Sequence, residues 1–180
     1  MSAVTPGSIT GSYNVDGAHS NVGFEIKHMG IATVRGSFKK FEGTVEEAGS
    51  EIKLSGTVEV ASVDTGDAQR DGHLQSPDFF DSAQFPQITF TSTGAEAADG
   101  KIKLNGEITI KGVTKPIELV GEAAENGQDP WGNERVGFEV EGKVDRRDFG
   151  LTFNQTLPNG TFMVAHDVKL VVSVSAVKAA

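Results

Sequence analysis

Apolar and polar residues alternate along most of this chain with the period of two that marks half-buried strands. From Ser20 onward Val22, Phe24, Ile26 and His28 share one face, opposite Gly23, Glu25 and Lys27. A break at Met29-Gly30 precedes a return with Val34, Gly36 and Phe38 on one face, which predicts an antiparallel partner. Phe41 to Val45 predicts a short edge piece, and Ile52 to Ser62 a longer strand with Ile52, Leu54, Val58 and Val60 inward. Ile88 opens the next strand, which ends near Asp99-Gly100; Ile102, Leu104, Ile108 and Ile110 then repeat the pattern up to Lys111-Gly112. Ile117, Leu119, Gly121 and Ala123 form a further inward set, followed by an Asn, Gly, Asp and Pro-rich loop that carries Trp131. Val136, Phe138, Val140, Gly142 and Val144 come next. After Leu157-Pro158-Asn159-Gly160, a hairpin-type turn, the last strand runs from Phe162 toward Val174, with Phe162, Val164, His166, Val168, Leu170 and Val172 on one face.

About eight strands with one apolar face each must hide those faces against one another, in a barrel or a sandwich. Inward glycines at 56, 106, 121 and 142 favour a closed barrel, because a curling sheet needs points where the backbone bends; they would also leave lumen volume. The expectation is an all-β protein, an extended eight-stranded antiparallel barrel. Residues 1–180 read as one domain with a flexible start over 1–11. One stretch, Thr65 to Phe90, interrupts the strands. Asp67 before Ala68-Gln69-Arg70 is placed to cap a helical turn, and Ser76-Pro77-Asp78 to start a second. The prediction is a short helical segment around 67–82 that sets Leu74, Phe79 and Phe80 against one barrel opening as a lid.

Composition acts mainly by exclusion. A formal charge of −9 over 180 residues repels nucleic acid and anionic membrane surfaces. No apolar run reaches the roughly 18 to 20 residues that span a bilayer, and the start M-S-A-V-T-P-G-S-I-T-G has neither a basic head nor an apolar stretch. A cytoplasmic protein with no stable membrane insertion is therefore expected. Absence of cysteine removes disulfides, thiol nucleophiles and Cys-type zinc sites.

Arg70, Asp71 and His73 form a candidate acid–base set, since histidine titrates near neutrality and a carboxylate can fix its tautomer. The plainer reading makes Arg70 and Asp71 an ion pair that pins the loop, and leaves His73 open between the two. His19 sits in a turn, and His28 and His166 fall on inward registers near strand ends. No histidine has metal-ligand spacing, so no metal is expected. The nucleophile elbow G-x-S-x-G is absent, and Asp148-Phe149-Gly150 lacks the loops that accompany it in kinases. No catalytic residue is assigned and no enzyme is expected.

Several ordered motifs carry a resemblance across nearly the whole chain. They are Tyr13-Asn14-Val15-Asp16 with His19-Ser20, Phe24 with His28, Arg35-Gly36-Ser37-Phe38 and Phe41-Glu42-Gly43. Arg70-Asp71-Gly72-His73-Leu74 follows with Phe79-Phe80-Asp81 and Phe85-Pro86, then the run Gly106 to Pro116, and Arg147-Asp148-Phe149-Gly150. In these the chain resembles the YceI-like family, lipocalin-like barrels associated with polyisoprenoid binding. The resemblance implies a lumen that takes a long polyprenyl or quinone-type lipid as carrier or store, without cofactor or catalysis, and a homodimer. Gln75 stands where a basic residue is common, which favours a neutral or quinone head over a pyrophosphate. The ligand-binding set expected on this reading has Phe24, Ile26, Phe38, Phe90, Ile108, Phe138, Phe162, Val164 and Leu170 along the tunnel. Phe79 and Phe80 close one end, with Arg70, His73, His28 and His166 as polar contacts. The alternatives are an enzyme acting on a hydrophobic substrate through His73 with Arg70 or Asp71, and a structural or interaction barrel.

Overall fold

Strands end where the alternation meets a residue pair that tolerates a left-handed backbone. Met29-Gly30, Asp99-Gly100 and Lys111-Gly112 each hold two consecutive positive φ angles, 55° and 70°, 53° and 77°, 51° and 77°. At Asp99-Gly100 and Lys111-Gly112 this is the two-residue hairpin turn that matches strand twist, while at Met29-Gly30 Ile31 adds a third loop residue and His28 pairs with Ala32. The computed structural model describes residues 11–48, 51–123, 127–160 and 163–179. In chain order these form β1 (Gly11–Val15), β2 (Asn21–His28), β3 (Ala32–Phe38), β4 (Phe41–Ala48), β5 (Glu51–Glu59) and β6 (Val63–Asp64). The helix α1 (Ala68–Gln75) follows, then β7 (Gln87–Ala98), β8 (Lys101–Ile110), β9 (Val113–Ala123), β10 (Gly127–Gln128), β11 (Glu134–Asp145) and β12 (Val164–Lys178). Short 3₁₀ turns cover Val60–Ser62 and Arg146–Phe149.

The barrel closes on β12. One edge of that strand pairs with β11 from Arg135↔Val177 to Asp145↔Asp167. Its other edge pairs first with β2, from Val164↔His28 to Ser173↔Asn21, and then with β1 from Ala176 onward. The ring β1–β4–β5–β7–β8–β9–β11–β12 is a closed eight-stranded antiparallel barrel, with β2 and β3 continuing β1 and β4 beyond breaks at Asp16 to Ser20 and Lys39-Lys40. Along β8, Ile102, Leu104, Ile108 and Ile110 are buried while Lys101 and Glu107 are exposed. The same division holds on β11, where Val136, Phe138 and Val140 face the core opposite exposed Glu139 and Glu141. An apolar interior under a charged exterior is the inverse of a bilayer-spanning barrel. Among the described residues no helix is long and apolar enough to cross a membrane.

Arg135 ties the seam between the first and last elements. Its Nε donates to Asp129 Oδ2 at 2.8 Å and its Nη1 to Asp16 Oδ2 at 3.0 Å; His19 Nδ1 meets the same Asp16 oxygen at 2.7 Å. Asp16 is held at about 2, chiefly by the His19 hydrogen bond and then by Arg135. Asp129 is also held at about 2, chiefly by Arg135.

Four expectations need correction. The piece from Phe41 is neither short nor an edge: β4 runs to Ala48 and pairs with β1 on one side and β5 on the other. The strand from Ile52 stops at Glu59, where the chain tightens into a 3₁₀ turn. The last strand begins at Val164 and runs to Lys178; Phe162, like residues 1–10 of the expected flexible start, lies outside the described residues. Finally, no second helical turn starts at Ser76. Ser76 is instead the C-cap of α1, and the chain from 77 to 80 passes through turns. The free carbonyls at the end of α1 explain why: those of His73, Leu74 and Gln75 accept from the amides of Ser76, Phe80 and Ser82. The following segment is thereby consumed in finishing the helix.

Candidate functional site

Thr65 organises the lid. Asp67 caps α1, its Oδ1 accepting from the amides of Gln69 and Arg70 at 3.0 and 3.1 Å. The first turn of α1 then folds back on Thr65: Arg70 Nε donates to Thr65 Oγ1 at 2.7 Å and Arg70 Nη2 to the Thr65 carbonyl at 2.8 Å. Asp71 Oδ1 accepts from the Thr65 amide at 2.9 Å and from its hydroxyl at 2.6 Å. The expected Arg70–Asp71 ion pair is therefore replaced by two separate grips on one threonine. Adjacent residues of a helix point in different directions, which leaves each to find its own partner.

His73 does not use Asp71 either. Its Nε2 lies 2.9 Å from Asp78 Oδ2, and its ring meets Phe79 and Phe153 edge-on at centroid distances of 5.0 and 4.9 Å. Phe79 and Phe153 are themselves 5.4 Å apart. The neighbouring Phe80 reaches the opposite wall, where it packs on Phe38 at 6.0 Å, and Phe38 on Phe24 at 5.8 Å. Two successive phenylalanines thus fasten the lid to two walls.

Beneath the lid lies a cavity of about 650 Å³ whose lining is mostly apolar. Protein interiors hold few voids larger than a water molecule, so a space of this size is built rather than left over, and it falls in the range of small-molecule sites. Phe24, Ile26, Phe38, Phe90, Ile108, Phe138, Val164 and Leu170 line it, as do Phe79 and Phe80 from the lid. Arg70, His73 and His28 line it as well. His166 stands apart from the lining: it falls where the β12–β2 register shifts between Val164 and Val168, close enough to Asp145 to act on its charge. Asp71 is likewise outside the lining, so Arg70, Asp71 and His73 do not converge on the cavity.

Of the inward glycines, Gly56 alone lines the space. A Cβ at Gly121 would collide with the Glu139 carbonyl of β11, and one at Gly106 would lie 2.6 Å from the Phe90 ring. At those positions glycine serves close approach, not lumen volume. Among the described residues no group of three or more His, Asp or Glu side chains could hold a metal ion.

The sequence reading missed Phe149, Leu151, Phe153 and Arg146, all of which line the cavity. Phe149, Leu151 and Phe153 lie in and after a 3₁₀ turn, outside any strand alternation. Arg146 did have a signal, because it continues the even-numbered inward series of β11 from Val136 through Val144 by one more step.

Residues 13–176 match the YceI-like domain. A protein named YceI from Salmonella arizonae is 38% identical over 179 residues, covering 97% of this chain and 91% of its own. The crystal structure of BcnA from Burkholderia cenocepacia superposes with a TM-score of 0.77 at 26% identity, over 89% of this chain and 98% of that one. A Saccharophagus degradans domain described as polyisoprenoid binding matches with a TM-score of 0.70 over 93% of this chain and 98% of its own. At 14% identity that last likeness speaks for the fold alone.

Proposed function

The chain belongs to the YceI-like family, and on that premise we propose that its barrel holds the chain of a long isoprenoid-type or similar amphiphilic lipid, as carrier or store and without chemistry. The observation that carries this reading is the lidded cavity of about 650 Å³ with its apolar lining. Each CH₂ removed from water contributes ~0.8 kcal/mol, so two five-carbon units supply on the order of 8 kcal/mol before ordering costs, enough for roughly micromolar binding. Shape and burial suffice; no reacting group is needed. The polyisoprenoid binding described for the Saccharophagus degradans domain agrees with this reading at the level of the fold. Against an enzyme stands the use of Arg70 and Asp71, whose side chains are spent on Thr65.

A plug in the lumen tests the reading. Gly56 lines the cavity, and a Cβ there meets only the Glu42 carbonyl at 3.4 Å, so Gly56→Phe fills the space without a backbone clash. Delipidated wild-type protein should take up geranylgeraniol with micromolar affinity, while folded Gly56→Phe should lose uptake by tenfold or more. Equal uptake by both would place binding outside the lumen and overturn the proposal.

A further inference from the structure

Arg146 is 4% exposed and lines the cavity, yet among the described residues its hydrogen-bond partners are three carbonyl oxygens rather than a carboxylate. Nε donates to Ala165 O at 2.8 Å, Nη1 to Leu151 O at 2.6 Å and Nη2 to Val164 O at 3.3 Å. These use three of the five N–H groups a guanidinium offers. The neighbouring carboxylate, Asp145, is taken by Arg147, whose Nη2 lies 2.5 Å from Asp145 Oδ2 and whose Nε lies 2.9 Å from Oδ1. Burial pushes the Arg146 pKa below that of a solvated guanidinium.

Buried charges are ordinarily paired. Carbonyl dipoles solvate this one but do not neutralise it. The other cations along the lining are already engaged, Lys27 by Thr33 Oγ1 and Arg70 by Thr65. Asp67, also in the lining, is spent as the cap of α1. Gln75, whose amide donates to Ala61 O at 3.5 Å on the exposed side, does not line the cavity. The residue at 75 therefore does not set the charge that a ligand head meets.

We propose that Arg146 is a seat for an anionic oxygen head, carboxylate or phosphate, so that the lumen selects acidic amphiphiles over neutral ones of the same chain. The inference rests on the lumen-binding reading above and names the ligand's head. A guanidinium–anion contact in a water-poor site is among the stronger hydrogen bonds, and neutral heads such as alcohols and methyl esters cannot supply its charge.

The test is a set of four ligands with one chain, farnesoic acid, farnesyl phosphate, farnesol and methyl farnesoate, titrated calorimetrically into delipidated wild-type protein. At least one of the two acidic ligands should bind roughly tenfold to a hundredfold more tightly than farnesol; which of them does so separates a carboxylate seat from a phosphate seat. In Arg146→Met that preference should vanish while farnesol affinity stays within about threefold, and Arg146→Lys should restore part of it. Should Arg146→Met fail to fold, the wild-type series decides together with the ¹³C signal of carboxyl-labelled farnesoic acid, whose carboxyl should titrate below the free acid when bound. Equal affinities for all four ligands, or a bound carboxyl that titrates at or above the free acid, would overturn the seat and leave the carrier reading standing. No binding by any of them would instead remove the carrier reading itself.

Discussion

Thr65 decides what its charged neighbours do. Its hydroxyl donates to Asp71 and accepts from Arg70, while its backbone serves both again. Thr65→Val keeps the backbone contacts and loses the two through the hydroxyl. It should cost ~1 to 2 kcal/mol and speed amide hydrogen exchange across residues 65–85 more than in the barrel strands; uniform exchange would contradict a lid held at this point. His73 was open in the sequence because nothing there shows that its partners are Asp78, Phe79 and Phe153. With those contacts, His73→Ala should lower the thermal midpoint and leave geranylgeraniol uptake within about threefold. Lost uptake at unchanged stability would make it a ligand contact instead. The carboxylates around Arg135 make a pH prediction. Asp16 and Asp129 are held at about 2, below the 3.8 of a free aspartate, so the stability they contribute is present above pH 4 and lost as pH falls from about 4 through 2. Arg135→Gln removes a hydrogen bond that depresses both, so its stability should change less over that window than wild type. An equal slope in the two proteins would remove Arg135 as the cause.

Among the elements, alternation located the long strands because both faces of a barrel wall are chemically distinct. β8 and β11 follow that pattern from end to end. It failed on β1, where five residues give too short a run to stand above background, and at Ser76, where a good helix-start sequence is overruled by the unsatisfied carbonyls of the helix before it. Asp67 was legible from its residue type and position, and Asp67→Ala should cost ~1 kcal/mol through loss of the cap. No side chain of α1 is fully buried, and of its residues only Leu74 packs partly against the core, so this loss should loosen the lid without unfolding the barrel. A two-step melt, or lid exchange that rises while strand protection holds, fits that division. Cooperative loss of both at once would not.

For the whole molecule, the closed eight-stranded barrel and its lid were legible from periodicity and turn chemistry, and the family from ordered motifs. The seam was not, because the pairing of β12 with β2 and β1 joins segments separated by most of the chain. Arg146 shows the same limit at the site: its inward register was readable, but the carbonyls that hold it and the commitment of Asp145 to Arg147 exist only once the fold is closed. The occupant proposed for this lidded apolar space, with a buried cation in its wall, is an amphiphile. Native mass spectrometry of untreated protein, followed by organic extraction, examines that most directly. It should reveal a lipid adduct that extraction removes and that added lipid restores in the wild type but not in Gly56→Phe. Protein that carries the bare chain mass in every preparation, and that takes up no lipid after extraction, would contradict it.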